Sequence, residues 1–132
     1  MKKKLDILIL DDEPIVGERL KAALQKDGFG VEIFIDPHEA LRRLVDKTFD
    51  ILVTDIRMDA MDGLQVLEQV LENSAATKVI MITGYATIEV ARESLARGAF
   101  DFIAKPFKIK ELRATIKKAV QSIEQEQVAA AG

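Results

Sequence analysis

Ile51-Leu52-Val53-Thr54-Asp55 is an apolar run that breaks off on a carboxylate. Such a run reads as a strand covered on both faces, the kind that parallel sheets contain. Asp6–Leu10 repeats the pattern, with Ile7-Leu8-Ile9-Leu10 followed by Asp11 and Asp12. Lys78–Thr83 ends on a hydroxyl, and Asp101–Ala104 runs into Lys105. Val31–Ile35 alternates more, with Glu32 between Val31 and Ile33, which suits an edge strand. The strand read at Ile51–Thr54 thus has four companions.

Amphipathic stretches separate these runs. Pro14 takes a first helical position behind an acidic cap, leading to Leu20, Ala23 and Leu24 on one face. Asp36-Pro37-His38-Glu39 reads as a cap, a first-turn proline and a capping-box Glu, opening a helix with Ala40, Leu41, Leu44 and Val45 inward. Leu64, Leu67 and Leu71 stripe a third helix. Ile88, Ala91 and Leu95 stripe a fourth, ended by Gly98. Ile109, Leu112, Ile116, Val120 and Ile123 stripe a fifth, and the polar, then alanine-rich stretch 124–132 is expected to fray. Five βα units predict a three-layer α/β sandwich, a doubly wound parallel sheet with right-handed crossovers. Such sheets carry their sites at the carboxyl ends of the strands, so Asp11, Asp12, Asp55, Thr83 and Lys105 should share one rim. Periodicity does not give the order of the strands.

The bulk numbers bound the function. The 132 residues fit one domain, 48% hydrophobic and 31% charged. There are no cysteines, which removes disulfides and thiolate metal sites and fits a reducing compartment. A net charge of -3 gives this segment no basic footprint for direct nucleic-acid binding. Met1-Lys2-Lys3-Lys4 looks like the start of an export signal, but the apolar run behind it stops at Asp11. No stretch approaches the roughly 20 apolar residues of a membrane span. The expected location is cytoplasmic, with no membrane partner.

Each rim residue alone has an ordinary reading. Asp11 and Asp12 could merely cap the first helix, Asp55 a turn; Thr83 suits a strand end and Lys105 a surface. Together they suggest chemistry. Three converging carboxylates repel one another and favour a cation, and a few oxygen ligands suit Mg²⁺. Asp55 is then the candidate nucleophile, able to hold a phosphoryl group as an acyl phosphate. Mg²⁺ would bridge it to the transferred oxygens, Lys105 would neutralise another oxygen, and Thr83 would donate its hydroxyl to a third.

At this point the chain resembles a family. The segments DDEP at Asp11–Pro14, TDIRMDAMDGLQVL at Thr54–Leu67, MITGYA at Met81–Ala86 and GAFDFIAKPF at Gly98–Phe107 are similar to the response-regulator receiver domains of two-component signalling. The Thr83–Phe107 part most resembles receivers of NtrC-type AAA+ transcription activators. The resemblance implies the flavodoxin-like strand order 2-1-3-4-5, a receiver domain over 1–123, and 124–132 as the tail or the start of a linker. It implies phosphorylation of Asp55 by a histidine kinase or phosphotransfer domain in a phosphorelay. It implies Mg²⁺ held by Asp12, Asp55 and the Arg57 carbonyl, with Asp11 acting mainly through water. It implies a cis Lys105–Pro106 bond. Thr83 and Phe102 would act as the switch, repacking the face of helix 4, strand 5 and helix 5 to control an output domain or protein. A homodimer through helices 4 and 5 would pair basic residues such as Arg92, Arg97 and Arg113 with Glu93, Asp101 and Glu111.

Two positions depart from the family pattern: Asp59, commonly proline, and Phe102, often tyrosine. Arg57 and Tyr85 fall where the family tunes the lifetime of the acyl phosphate. Rival readings fare worse. A dehalogenase-like phosphatase needs a carboxylate two residues after its nucleophile, where this chain has Arg57, so no enzyme beyond slow self-dephosphorylation is expected. A flavodoxin-like cofactor binder needs a phosphate-cradling loop after the first strand, where this chain has Asp11-Asp12-Glu13.

Overall fold

A computed structural model describes residues 4–58, 60–84 and 87–131. Asp59 and Tyr85 lie outside the described residues. The elements run β1 (Asp6–Leu10), α1 (Pro14–Lys26), β2 (Gly30–Phe34), α2 (Pro37–Asp46), β3 (Ile51–Asp55), α3 (Gly63–Asn73), β4 (Lys78–Thr83), α4 (Ile88–Ala96), β5 (Asp101–Ala104) and α5 (Ile109–Ala131). The sheet is parallel throughout, in the order β2-β1-β3-β4-β5.

Strand alternation splits the core in two. Ile7, Ile9, Val53, Ile80 and Ile82 face α1 and α5 and pack on Leu20, Leu24, Leu112 and Ile116. Leu8, Leu10, Leu52, Val79 and Met81 face the other way and pack on Ala40, Val66, Leu67 and Val70 of α2 and α3. Both faces of every central strand are therefore dry, which is why their sequences are continuously apolar. The edge strand β2 is tied to α2 by Arg43, which makes a two-point bond to Glu32 (2.8 and 3.0 Å). That contact holds the Glu32 carboxylate below its ordinary value.

Caps fix where helices begin. Asp36 accepts from the His38 amide, Asp62 from Leu64 and Thr87 from Val90. Glu39 stands in the first turn of α2 but makes no bond to the Asp36 amide, and Asp36 caps the N2 amide rather than that of Glu39, so the expected box is replaced by a simple cap. In α1 the capping position is Glu13, whose side chain makes no cap bond; Asp11 instead accepts from the Glu13 amide at 2.9 Å.

Several expectations are corrected. β2 starts and ends one residue earlier than 31–35, because Gly30 donates to Leu5 and Phe34 accepts from Asp11, leaving Ile35 beyond the ladder. Val45 faces solvent. On α4 the expected stripe is turned outward: Ile88 is 68% and Leu95 49% exposed, while Ser94 is buried. Ser94 tolerates that place because its hydroxyl donates to the Val90 carbonyl one turn back. Gly98 ends α4 with φ +106°, as read. The stretch read as a fraying tail continues α5 to Ala131. Part of the basic charge assigned to an interface is used within the chain: Arg97 binds Glu68 and Glu93, and Arg113 binds Asp27. No helix among the described residues is long and apolar enough to cross a membrane.

Candidate phosphoryl-accepting site

The strand ends bring Asp11, Asp12, Asp55, Thr83 and Lys105 to one rim of the sheet. β3 lies between β1 and β4, so Asp55 stands between the acidic pair of β1 and the hydroxyl of β4. The Lys105 amide donates to the Thr83 carbonyl at 2.7 Å, which carries Lys105 past the end of β5 toward the centre. The Lys105–Pro106 bond is cis.

One carboxylate oxygen from each of Asp11, Asp12 and Asp55 lies within 4.8 Å of the others. The Lys105 ammonium sits among them, 2.7 Å from Asp11 Oδ2 and 2.8 Å from Asp55 Oδ2. The remaining oxygens are held by backbone: Asp11 Oδ1 accepts from Glu13 at 2.9 Å and Asp55 Oδ1 from Arg57 at 3.1 Å. The side chains of Asp11, Asp55 and Lys105 are 0%, 7% and 17% exposed. Burial pushes the Asp11 carboxyl above its ordinary value, even against Lys105 and the Glu13 amide. Burial also works against the charge on Lys105, but its bonds to Asp11 and Asp55 outweigh that and raise its pKa.

Asp12 is half-buried and has no protein partner among the described residues. Three carboxylates against one ammonium leave a net negative pocket. An all-oxygen set with one ligand uncommitted fits a hard divalent cation such as Mg²⁺. Asp12→Asn is therefore expected to raise thermal stability in EDTA. The gain should be about 1 kcal/mol, well under the roughly 4 kcal/mol of two charges 4 Å apart at a dielectric near 20, because the rim meets water. The same variant should lose most of the stabilisation that Mg²⁺ gives the parent; melts in EDTA and in Mg²⁺ test both.

Two contributors escaped the sequence reading. Glu13, taken as part of a cap, places Oε1 3.7 Å from the Lys105 ammonium. Gly63, the first residue of α3, lies under the loop after Asp55: its amide donates to Ile56 at 2.8 Å, and a Cβ there would collide with the Asp55 carbonyl oxygen. A glycine at the first position of a helix, where any residue would serve the helix, was the available signal. Gly63→Ala should cost about 1–3 kcal/mol, as overpacking does, because its neighbour is backbone and cannot swing away. Urea unfolding measures it.

Arg57 is exposed, and its amide holds Asp55. Thr83 is buried at the end of β4. Phe102 is half-buried on the α2–α3 side, above Met81 in register. Beside the rim a cleft of about 450 Å³ is lined by Val16, Leu20, Pro106, Phe107 and Ile109, with Glu13, Arg19 and Lys105 contributing charge.

Residues 7–117 match the response regulator receiver domain. The regulatory protein AtoC of Escherichia coli K12 is 38% identical over 115 residues, 87% of this chain and 25% of that protein. The DNA-binding transcriptional regulator NtrC of Salmonella typhimurium LT2 is 33% identical over 121 residues, 92% of this chain and 26% of its own. The chain thus spans about a quarter of the length of these curated relatives. Among solved structures, a CheY-like receiver domain protein from Methanospirillum hungatei JF-1 superposes with a TM-score of 0.90 at 32% identity, covering 94% of this chain and 99% of that one. The beryllofluoride-activated NtrC4 receiver domain dimer gives 0.85 at 30% identity, covering 89% and 98%.

Proposed function

Because the chain belongs to the response regulator receiver domain family of two-component signalling, we propose that Asp55 is its phosphoryl acceptor, charged by a histidine kinase or phosphotransfer domain. The observation that carries this reading is the Lys105 ammonium held 2.8 Å from Asp55 and 2.7 Å from Asp11, beside an Asp12 that has no protein partner among the described residues. An Asp55 oxygen forms a bond to phosphorus as the bond to the donor nitrogen breaks, and the electron pair leaves with that nitrogen. Asp12, Asp55 and the Arg57 carbonyl would hold Mg²⁺, with Asp11 acting through water. Bound there, Mg²⁺ supplies positive charge to the phosphoryl oxygens. Lys105 neutralises a second oxygen, and Thr83 donates its hydroxyl to a third. Arg57 stands two residues after Asp55, where a phosphatase would need a carboxylate, so the expected chemistry ends at slow self-dephosphorylation.

Thr83 moving toward the phosphoryl group would vacate space for Phe102, biasing a two-state face of α4, β5 and α5. The exposed Ile88 and Leu95 on α4 support that face as a surface for an output domain or a second copy of the chain. The apolar cleft beside Lys105 supports docking of the phosphate donor. Residues 1–123 would form the receiver and 124–132 the start of a linker in a cytoplasmic transcription regulator, with nucleic acid bound elsewhere than on this segment.

Intact mass after incubation with acetyl phosphate tests the reading. One added phosphoryl group per chain with Mg²⁺, and none in EDTA, is the expected result. No gain from acetyl phosphate or from any phosphorylated histidine donor would sink it.

A further inference from the structure

From Glu124 to Ala130 no residue of α5 is buried, yet the helix continues to Ala131. Its composition does not fully account for this. Its last turn holds no basic residue to complement the dipole of its carboxyl end. The compensation comes from another element. Lys78, the first residue of β4, bonds through its ammonium to Glu126 Oε1. The Lys78 side chain is only 15% exposed, and its ammonium lies 6.0 Å from the centre of the Phe100 ring. It is thus fixed by its surroundings, which lowers the entropy cost of the pair below that of two free surface chains. Around it, Phe49 and Thr77 line a groove of about 240 Å³ with Ile123, Gln127 and Ala130 of α5.

β4 runs from Lys78 at the underside of the sheet to Thr83 at the rim. We propose that the Lys78–Glu126 pair is a strut that makes residues 124–130 part of the folded domain and couples their order to the strand that carries Thr83. The coupling rests on the phosphorylation reading above; the strut does not. What leaves the domain is then a helix in a set direction whose order answers to the rim, rather than a passive linker.

Amide exchange on the whole chain tests it. Lys78→Met and Glu126→Gln should each speed exchange over 124–130 by about 2- to 5-fold, the range of a partly exposed charge pair. Amides of β1 and β3 should stay unchanged, which shows that the variants fold. In the double variant Lys78→Met with Glu126→Gln, exchange should be no faster than in the faster of the two single variants. Unchanged exchange in both single variants, or effects that simply add in the double variant, would overturn the strut. Acetyl phosphate with Mg²⁺ should alter tail exchange in the parent but not in Lys78→Met. No alteration in a chain whose mass shows the added phosphoryl group overturns the coupling alone. A chain that takes no phosphoryl group overturns the coupling together with the reading beneath it.

Discussion

An Asp55→Asn chain should take up no phosphoryl group from acetyl phosphate and Mg²⁺ while remaining folded. Asp11 and Asp55 are bonded alike, each to one backbone amide and to Lys105, so bonding does not choose between them. Position does. Asp11 is fully enclosed, and Asp12 makes no ion pair with Lys105 or any other described residue, whereas Asp55 retains some exposure and lies between β1 and β4. Only there would an incoming phosphorus meet a nucleophile flanked by an acidic pair on one side and by Thr83 and Lys105 on the other. The asparagine keeps an acceptor for the Arg57 amide but cannot attack phosphorus. Thermal melts guard against a trivial cause: losing one of three repelling carboxylates while Lys105 keeps Asp11 should leave the melting temperature close to the parent's. Peptide mapping that finds the phosphoryl group on Asp11 or Asp12, or full labelling of the variant, would refute the assignment.

What the sequence made legible follows from where physics acts locally. The strands were readable because both faces are covered, so burial writes itself as an unbroken apolar run. The rim was readable because parallel strands put their carboxyl ends on one side, which brings Asp11, Asp12, Asp55, Thr83 and Lys105 together without knowing strand order. The order itself, β2-β1-β3-β4-β5, came only through family resemblance, since no periodicity encodes which strand lies beside which. Where the reading slipped, a specific polar or backbone contact had overridden the apolar pattern. Ile88, Ala91 and Leu95 form a good stripe, but α4 turns Ser94 inward by satisfying its hydroxyl within the helix. The stretch after Ile123 has no apolar stripe, and what meets Glu126 is a lysine 48 residues away in sequence. Gly63 matters through a backbone carbonyl eight residues earlier, a contact no composition rule reports.

Lys105→Met should be the most destabilising of the rim substitutions in metal-free buffer. It removes the ammonium that bridges Asp11 and Asp55 and leaves two enclosed carboxylates facing each other. Breaking a fully buried pair from one side costs ~3–5 kcal/mol; with the rim open to water, about 2 kcal/mol is expected. The pH dependence has a definite sign. Lys105 carries a raised pKa when folded, so its contribution is complete below the unfolded value of 10.5 and disappears only as the pH rises through the folded value. At neutral pH the parent therefore has all of it and the variant none. In the variant, Asp11, already raised by burial, loses the partner that lowered it and rises further. A carboxyl raised by folding binds its proton better folded than unfolded, so the variant should regain stability as the pH falls from neutral toward the ordinary carboxylate range. Mg²⁺ should restore stability at neutral pH by the linkage that any ligand of the folded state exerts, up to about 2.7 kcal/mol at a hundredfold excess over its Kd. Urea midpoints in EDTA and in Mg²⁺, at neutral and at mildly acid pH, separate these terms. A variant as stable as the parent in EDTA at neutral pH would mean that water, not Lys105, already neutralises Asp11 and Asp55, and would remove the electrostatic argument for this lysine as the partner of a phosphoryl oxygen.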